Sequence, residues 1–106
     1  MDYDVVFSEE AEDDLECIIS YITEELRSPQ SAARLFAAVS RKLELIRDNP
    51  YIYPTHHIEQ LHSKGYRFAV IGNYLMFYTI DEEKSRTYIV RIVYGKRNLS
   101  DLFTQE

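Results

Sequence analysis

The dipeptide Gly72-Asn73 separates two runs of aromatic and aliphatic residues, YRFAVI (66–71) and YLMFYTI (74–80), and it constrains this chain more than any other feature. Glycine reaches the backbone angles that a two-residue hairpin turn demands, so the runs are expected to be adjacent antiparallel strands in a fixed register. That register sets Ile71 against Tyr74, Ala69 against Met76 and Arg67 against Tyr78. A third run, TYIVRIVY (87–94), follows a polar loop at 81–86. The last forty residues therefore read as three strands.

Upstream, the spacing of apolar residues changes from two to about 3.6. YDVVF (3–7) reads as a short first strand, with Ser8 as a helix N-cap and Glu9 and Glu10 placed where the helix dipole favours anions. A first helix is predicted over 9–26, its stripe made by Ala11, Leu15, Ile18 and Ile22 with Ile19 and Leu26. Ser28 and Pro29 open a second helix, which closes at Asn49-Pro50 because a residue before proline leaves the α region. Leu35, Ala38 or Val39, Leu43 and Ile46 form its stripe. One or two residues join the helices, which makes them an antiparallel hairpin. The segment 51–65, YIYPTHHIEQLHSKG, holds too many turn formers and polar groups to assign.

The resulting fold class is α+β in the order β-α-α-β-β-β, a helical hairpin on one face of a small, mainly antiparallel sheet. A length of 106 residues and 45% hydrophobic content suit one domain spanning 1–106. The hairpin register puts Tyr66, Phe68, Val70, Leu75 and Phe77 on one face, continued by Tyr88, Val90, Ile92 and Tyr94 if Ile80 pairs with Thr87. That face is expected to lie under the helices. The other collects Arg67, Ala69, Tyr74, Met76, Tyr78, Arg91 and Val93, with Arg91 across from Met76. Two arginines framed by two tyrosines fit either a surface that recognises an acidic or aromatic partner or an ordinary solvated sheet face.

Charge divides the chain. Residues 1–26 hold ten acids and no Lys or Arg, whereas 27–106 hold twelve cations against eight acids. A net charge of −6 argues against avid nucleic-acid binding, which depends on neutralising phosphates. A lone cysteine and the absence of a signal-like or long apolar run point to a soluble, cytoplasmic protein with no membrane partner. Cys17 is expected to be partly buried and of low reactivity. His56, His57 and His62 match no zinc spacing and read as surface imidazoles, so neither a metal nor another cofactor is expected.

The segments YRFAVIGNYLMFYTIDEE and VRIVYGKRNLSDLF, behind an acidic first helix and a second ending RDNPYIYP, resemble the RelE/ParE superfamily of bacterial toxin–antitoxin toxins. The likeness spans nearly the whole chain. It implies a short C-terminal helical turn, with Leu99, Leu102 and Phe103 as its hydrophobic close. RelE-like members resemble ribonucleases that cut messenger RNA in the ribosome, whereas ParE-like members poison DNA gyrase by protein–protein contact. Carried over residue by residue, the nuclease set keeps Arg67 and Arg97 but meets Ala69, Tyr74 and Phe103 elsewhere. GNYLMFY (72–78) and RIVYGKRN (91–98) look like the ParE branch.

The resemblance thus implies a gyrase-inhibiting, growth-arresting toxin of a plasmid-stabilising kind, neutralised by a cognate antitoxin and needing no catalysis. Its expected target-binding residues are Arg67, Tyr74, Tyr78, Arg91, Lys96 and Arg97. The alternatives are a ribosome-dependent endoribonuclease using Arg67 and Arg97, and a non-toxic remnant that only binds antitoxin.

Overall fold

The computed structural model describes residues 3–96, the side chain of Gln60 excepted. Strand β1 (Asp4–Phe7) leads into helix α1 (Glu9–Ser20), which continues as a π-helical turn over Tyr21–Glu25. Helix α2 (Pro29–Asp48), a 3-10 turn (Pro50–Ile52) and a short helix α3 (Glu59–Ser63) follow, then strands β2 (Arg67–Ile71), β3 (Tyr74–Asp81) and β4 (Arg86–Tyr94). The sheet order is β1-β4-β3-β2, with β1 parallel to β4 and the other pairs antiparallel. Both helix starts follow from the sequence. The Ser8 hydroxyl accepts from the Ala11 N–H at 3.0 Å, and the Ser28 hydroxyl accepts from the Ser31 N–H at 3.3 Å. The first helix ends with Arg27 in the left-handed region at φ 52°, which lets the Ser28 N–H reach the Ile22 carbonyl at 3.1 Å.

The hairpin register is as expected, with Ile71 on Tyr74, Ala69 on Met76 and Arg67 on Tyr78. The expected assignment of faces is inverted. Ala69, Ile71, Met76, Tyr78, Ile89 and Ile92 are buried against Ala11 of α1 and Val39 and Ile46 of α2, so the arginine-bearing side of the hairpin is the core side. Both sides of the hairpin carry apolar residues, so alternation alone does not rank them. The second face is also covered. Phe77, Val93 and Leu61 are buried there, with Phe68, Leu75 and Val90 packed around them. Residues 56–61 of the unassigned segment are thus a lid on the second face with Leu61 as its anchor, while Tyr53 packs on the helix side.

Between β3 and β4 the pairing runs Ile80–Thr87 and Tyr78–Ile89, then slips by one residue, so Arg91 faces Phe77 rather than the expected Met76. This bulge puts both Ile89 and Ile92 toward the helices. It sits where β1 stops: Phe7 is the last residue paired with β4, and the Ser8 N–H and hydroxyl bond the Ile89 and Val90 carbonyls. Beyond that point Asp14 of α1 takes over the strand edge. Its carboxylate accepts from Arg91 Nε at 2.7 Å, Arg91 Nη2 at 3.0 Å and the Ile92 backbone N–H at 2.9 Å. Asp14→Ala is expected to lower stability by about 2–3 kcal/mol, since it leaves a part-buried guanidinium and a strand N–H without their acceptor. A drop in Tm on the order of 10 °C or more, measured by thermal melting, goes with that loss. A change within a degree would show that the clasp contributes nothing.

Candidate functional site

One end of the sheet is built by the hairpin turn and the close of β4. Gly72 has φ 58°, the positive angle that the first position of this turn demands. Gly95 continues the β4 pairing, donating its N–H to the Asn73 carbonyl at 2.8 Å. A Cβ on Gly95 would stand 3.2 Å from that same oxygen, so a side chain there would press on the turn. Lys96 follows, exposed at the corner. Tyr74 and Tyr94 face each other across the strands with ring centroids 6.0 Å apart and planes at 69°. Burial raises the Tyr74 phenol above its ordinary pKa, and Tyr21 and Tyr94 nearby add to the effect.

Arg67 lies at the other end of β2, about 13 Å along the strand from the turn at ~3.3 Å per residue. Its Nη1 donates to the Tyr53 carbonyl at 2.6 Å, and its guanidinium lies 5.0 Å from the centre of the Tyr51 ring. It lines an open cleft together with Thr55, Lys64, Tyr88, Asp81, Glu82 and Glu83. Cations and carboxylates thus share this cleft.

The expected patch of six does not assemble. Tyr78 has no exposed surface; its hydroxyl donates to the Pro50 carbonyl at 2.7 Å, and burial pushes its pKa up to about 12. Arg91 is engaged by Asp14, whose hydrogen bonds raise its pKa. Tyr74 and Lys96 share the turn end with exposed Tyr94, while Arg67 stands apart. Arg97, Phe103 and the expected C-terminal turn lie outside the described residues. Tyr21 and Tyr94 were missed: Tyr21 belongs to the first helix, and the register placed Tyr94 on the face expected under the helices, whereas it is exposed at the strand end.

Two expectations about other side chains need correction. His56 is buried, not a surface imidazole: its ring stacks on His57 at 4.5 Å and meets Phe68 edge-on at 4.9 Å, while Nδ1 accepts the Ile58 N–H at 3.2 Å. Cys17 is exposed on α1 rather than partly buried, because it points away from the stripe that packs on the sheet. Among the described residues no group of His, Cys, Asp and Glu is arranged to hold a metal ion, and no helix is long and apolar enough to cross a membrane.

A four-stranded sheet with a helical hairpin packed on one face defines a small α+β protein. The chain belongs to the ParE toxin family of type II toxin–antitoxin systems, parDE, whose family profile matches residues 5–99. Among solved structures it is similar to the toxin–antitoxin complex RelBE2 from Mycobacterium tuberculosis, at 23% identity and TM-score 0.63, covering 89% of this chain and 99% of that one. It is also similar to the chromosomal ParDE system of P. aeruginosa, at 12% identity and TM-score 0.69, covering 89% and 97%. The intact E. coli RelBE complex gives 16% identity and TM-score 0.58, covering 90% and 99%. Curated proteins gave no match.

His56 ties the lid to acidity. Burial, and then the neighbouring His57, hold its pKa below 6.5, so the unfolded chain takes up this proton before the folded one does. The stability it contributes is whole above pH ~6.5 and is lost as pH falls through the folded pKa. Thermal melts from pH 7.5 to 5 are expected to fall more steeply for the parent than for His56→Gln. Parallel curves would show that this ring does not sense pH.

Proposed function

We propose that this toxin acts by binding DNA gyrase rather than by cutting RNA, and that a cognate antitoxin silences it. The observation that carries this reading is the state of the sheet's cations. Ribosome-dependent cleavage needs cations on the reacting phosphate and a group that activates the 2′-hydroxyl. Here Ala69 is sealed in the core, Tyr74 supplies no charge, and Arg67 holds the Tyr53 carbonyl in a cleft that three carboxylates also line. A phosphate chain in that cleft would meet Asp81, Glu82 and Glu83. What the chain does offer is tyrosine and lysine at the turn end of the sheet, residue types suited to protein contact. The proposed target contacts are therefore Tyr74, Lys96 and Arg97, with Arg67 supporting the lid. The similar RelBE2 and RelBE complexes support an antitoxin as the second partner. With its acidic α1, this chain suits an antitoxin segment richer in Lys and Arg than a basic toxin would.

Induced expression is expected to arrest growth, and the purified protein to block supercoiling by gyrase or trap cleaved DNA. Primer extension on ribosome-bound messenger is expected to show no A-site cuts. Arg97→Ala should weaken the gyrase effect by about tenfold or more, as truncation of a central interface arginine does. Arg67→Ala should lower Tm and leave the gyrase effect in place. A-site cuts that vanish in Arg97→Ala would replace this reading with the nuclease one. Arrest with neither effect would mean a different target.

A further inference from the structure

We propose that Tyr21, Tyr74 and Tyr94 form the centre of the target-binding surface and that they grip lysine or arginine side chains of the target protein. This inference rests on the gyrase reading above and names the chemistry of the contact.

The three tyrosines come from three elements. Tyr74 and Tyr94 are cross-strand partners with their rings edge to face, and Tyr21 enters from the π turn that ends α1, close enough to influence the Tyr74 hydroxyl. Tyr21 is 52% exposed and Tyr94 44%, in a chain that buries Tyr78 completely. Large aromatic rings left open side by side carry a binding role more often than single exposed apolar residues do. The patch also runs directly into the Gly95-Lys96 corner, already proposed as target contact.

Charge decides what such a patch holds. Tyrosine rings present negative faces, which attract ammonium and guanidinium groups. Beside Tyr21 lies a notch of about 440 Å³ lined by Glu16, Cys17, Ser20, Glu24 and Glu25, and every charged side chain lining it is an acid. Rings next to carboxylates suit arginine above all, which can stack and pair at once. The same carboxylates repel phosphate, so the occupant is protein rather than nucleic acid. Gyrase grips DNA, and a DNA-gripping surface must present lysine and arginine to the backbone phosphates. The π turn spans Tyr21, Glu24 and Glu25, widening the helix at the residues that face this notch.

The test is binding to immobilised, purified gyrase across a salt series, with the full-length parent, Tyr21→Ala, Tyr94→Ala, Tyr94→Phe and the double variant Glu24→Gln with Glu25→Gln. Thermal melts accompany each protein. Both tyrosines are about half exposed, so melts are expected within a few degrees of the parent. Each alanine variant is expected to bind gyrase about tenfold or more weakly, with Tyr94→Phe close to the parent because it keeps the ring. Parent affinity is expected to fall as salt rises, and the double glutamine variant to flatten that slope. Folded alanine variants that bind gyrase as the parent does would overturn the inference. So would variants that keep gyrase binding but lose capture of the antitoxin, since the patch would then be the antitoxin's. A parent that does not bind gyrase removes the gyrase reading itself and this inference with it, a failure visible before any variant is measured.

Discussion

The Asp14 carboxylate decides how this fold closes. β1 pairs with β4 only as far as Ile89, and past that point β4 would run on as a bare edge with nothing to accept its N–H groups. Asp14 supplies the acceptor from a helix instead of a strand. Its second role is to neutralise Arg91 with two charge-assisted hydrogen bonds. Those bonds hold α1 across the end of the sheet at one angle, and the bulge beside them sends Ile89 and Ile92 into the same core. Without the bulge, alternation would put one of the two on the lid side. That one carboxylate thus ties α1 to β4 at the point where β1 ends and the bulge begins.

Much of the fold was legible because its signals are local. Ser8, Ser28, Pro29 and Asn49-Pro50 each act within one turn of chain, and the helices start and stop there. Gly72-Asn73 acts over two residues, and the hairpin register was right. The face was wrong because both sides of β2 and β3 carry apolar residues, and alternation cannot rank two buried faces. Arg67 made its side look wet, yet it stands at the strand's first residue, where a guanidinium can turn to the Tyr53 carbonyl while Ala69 and Ile71 go under the helices. Leu61 was hidden among polar neighbours in a segment whose role as a lid depends on contacts distant in sequence.

The site was less legible for the same reason. Strand register groups residues by face, but a folded sheet with both faces covered leaves its outward chemistry at the ends and edges. Tyr78 shares a register side with Tyr74 yet lies in the core, while the bulge pairs Arg91 with Phe77 and Asp14 holds its guanidinium. Tyr21 joins the proposed patch from a helix laid over the sheet, a placement that no spacing within the strands contains. The acid-rich first 26 residues, by contrast, could be read directly, since charge does not depend on knowing which side chain touches which.

These two kinds of information meet at the turn end of the sheet. A basic toxin can hold an anionic partner almost anywhere on its surface, because long-range attraction does the selecting. This chain is acidic, so the proposed contact at its Lys96 corner stands against the general field and would select only at short range, where geometry matters more than net charge. The tyrosines supply that geometry: rigid rings lose little freedom on binding and offer faces to cations and hydroxyls to polar groups. An interface built from them tolerates an acidic protein, as a phosphate-binding site would not. The same substitutions that strip cations from the sheet leave aromatic rings in a position to be used, with Tyr74 standing where the superfamily's nucleases are expected to carry arginine.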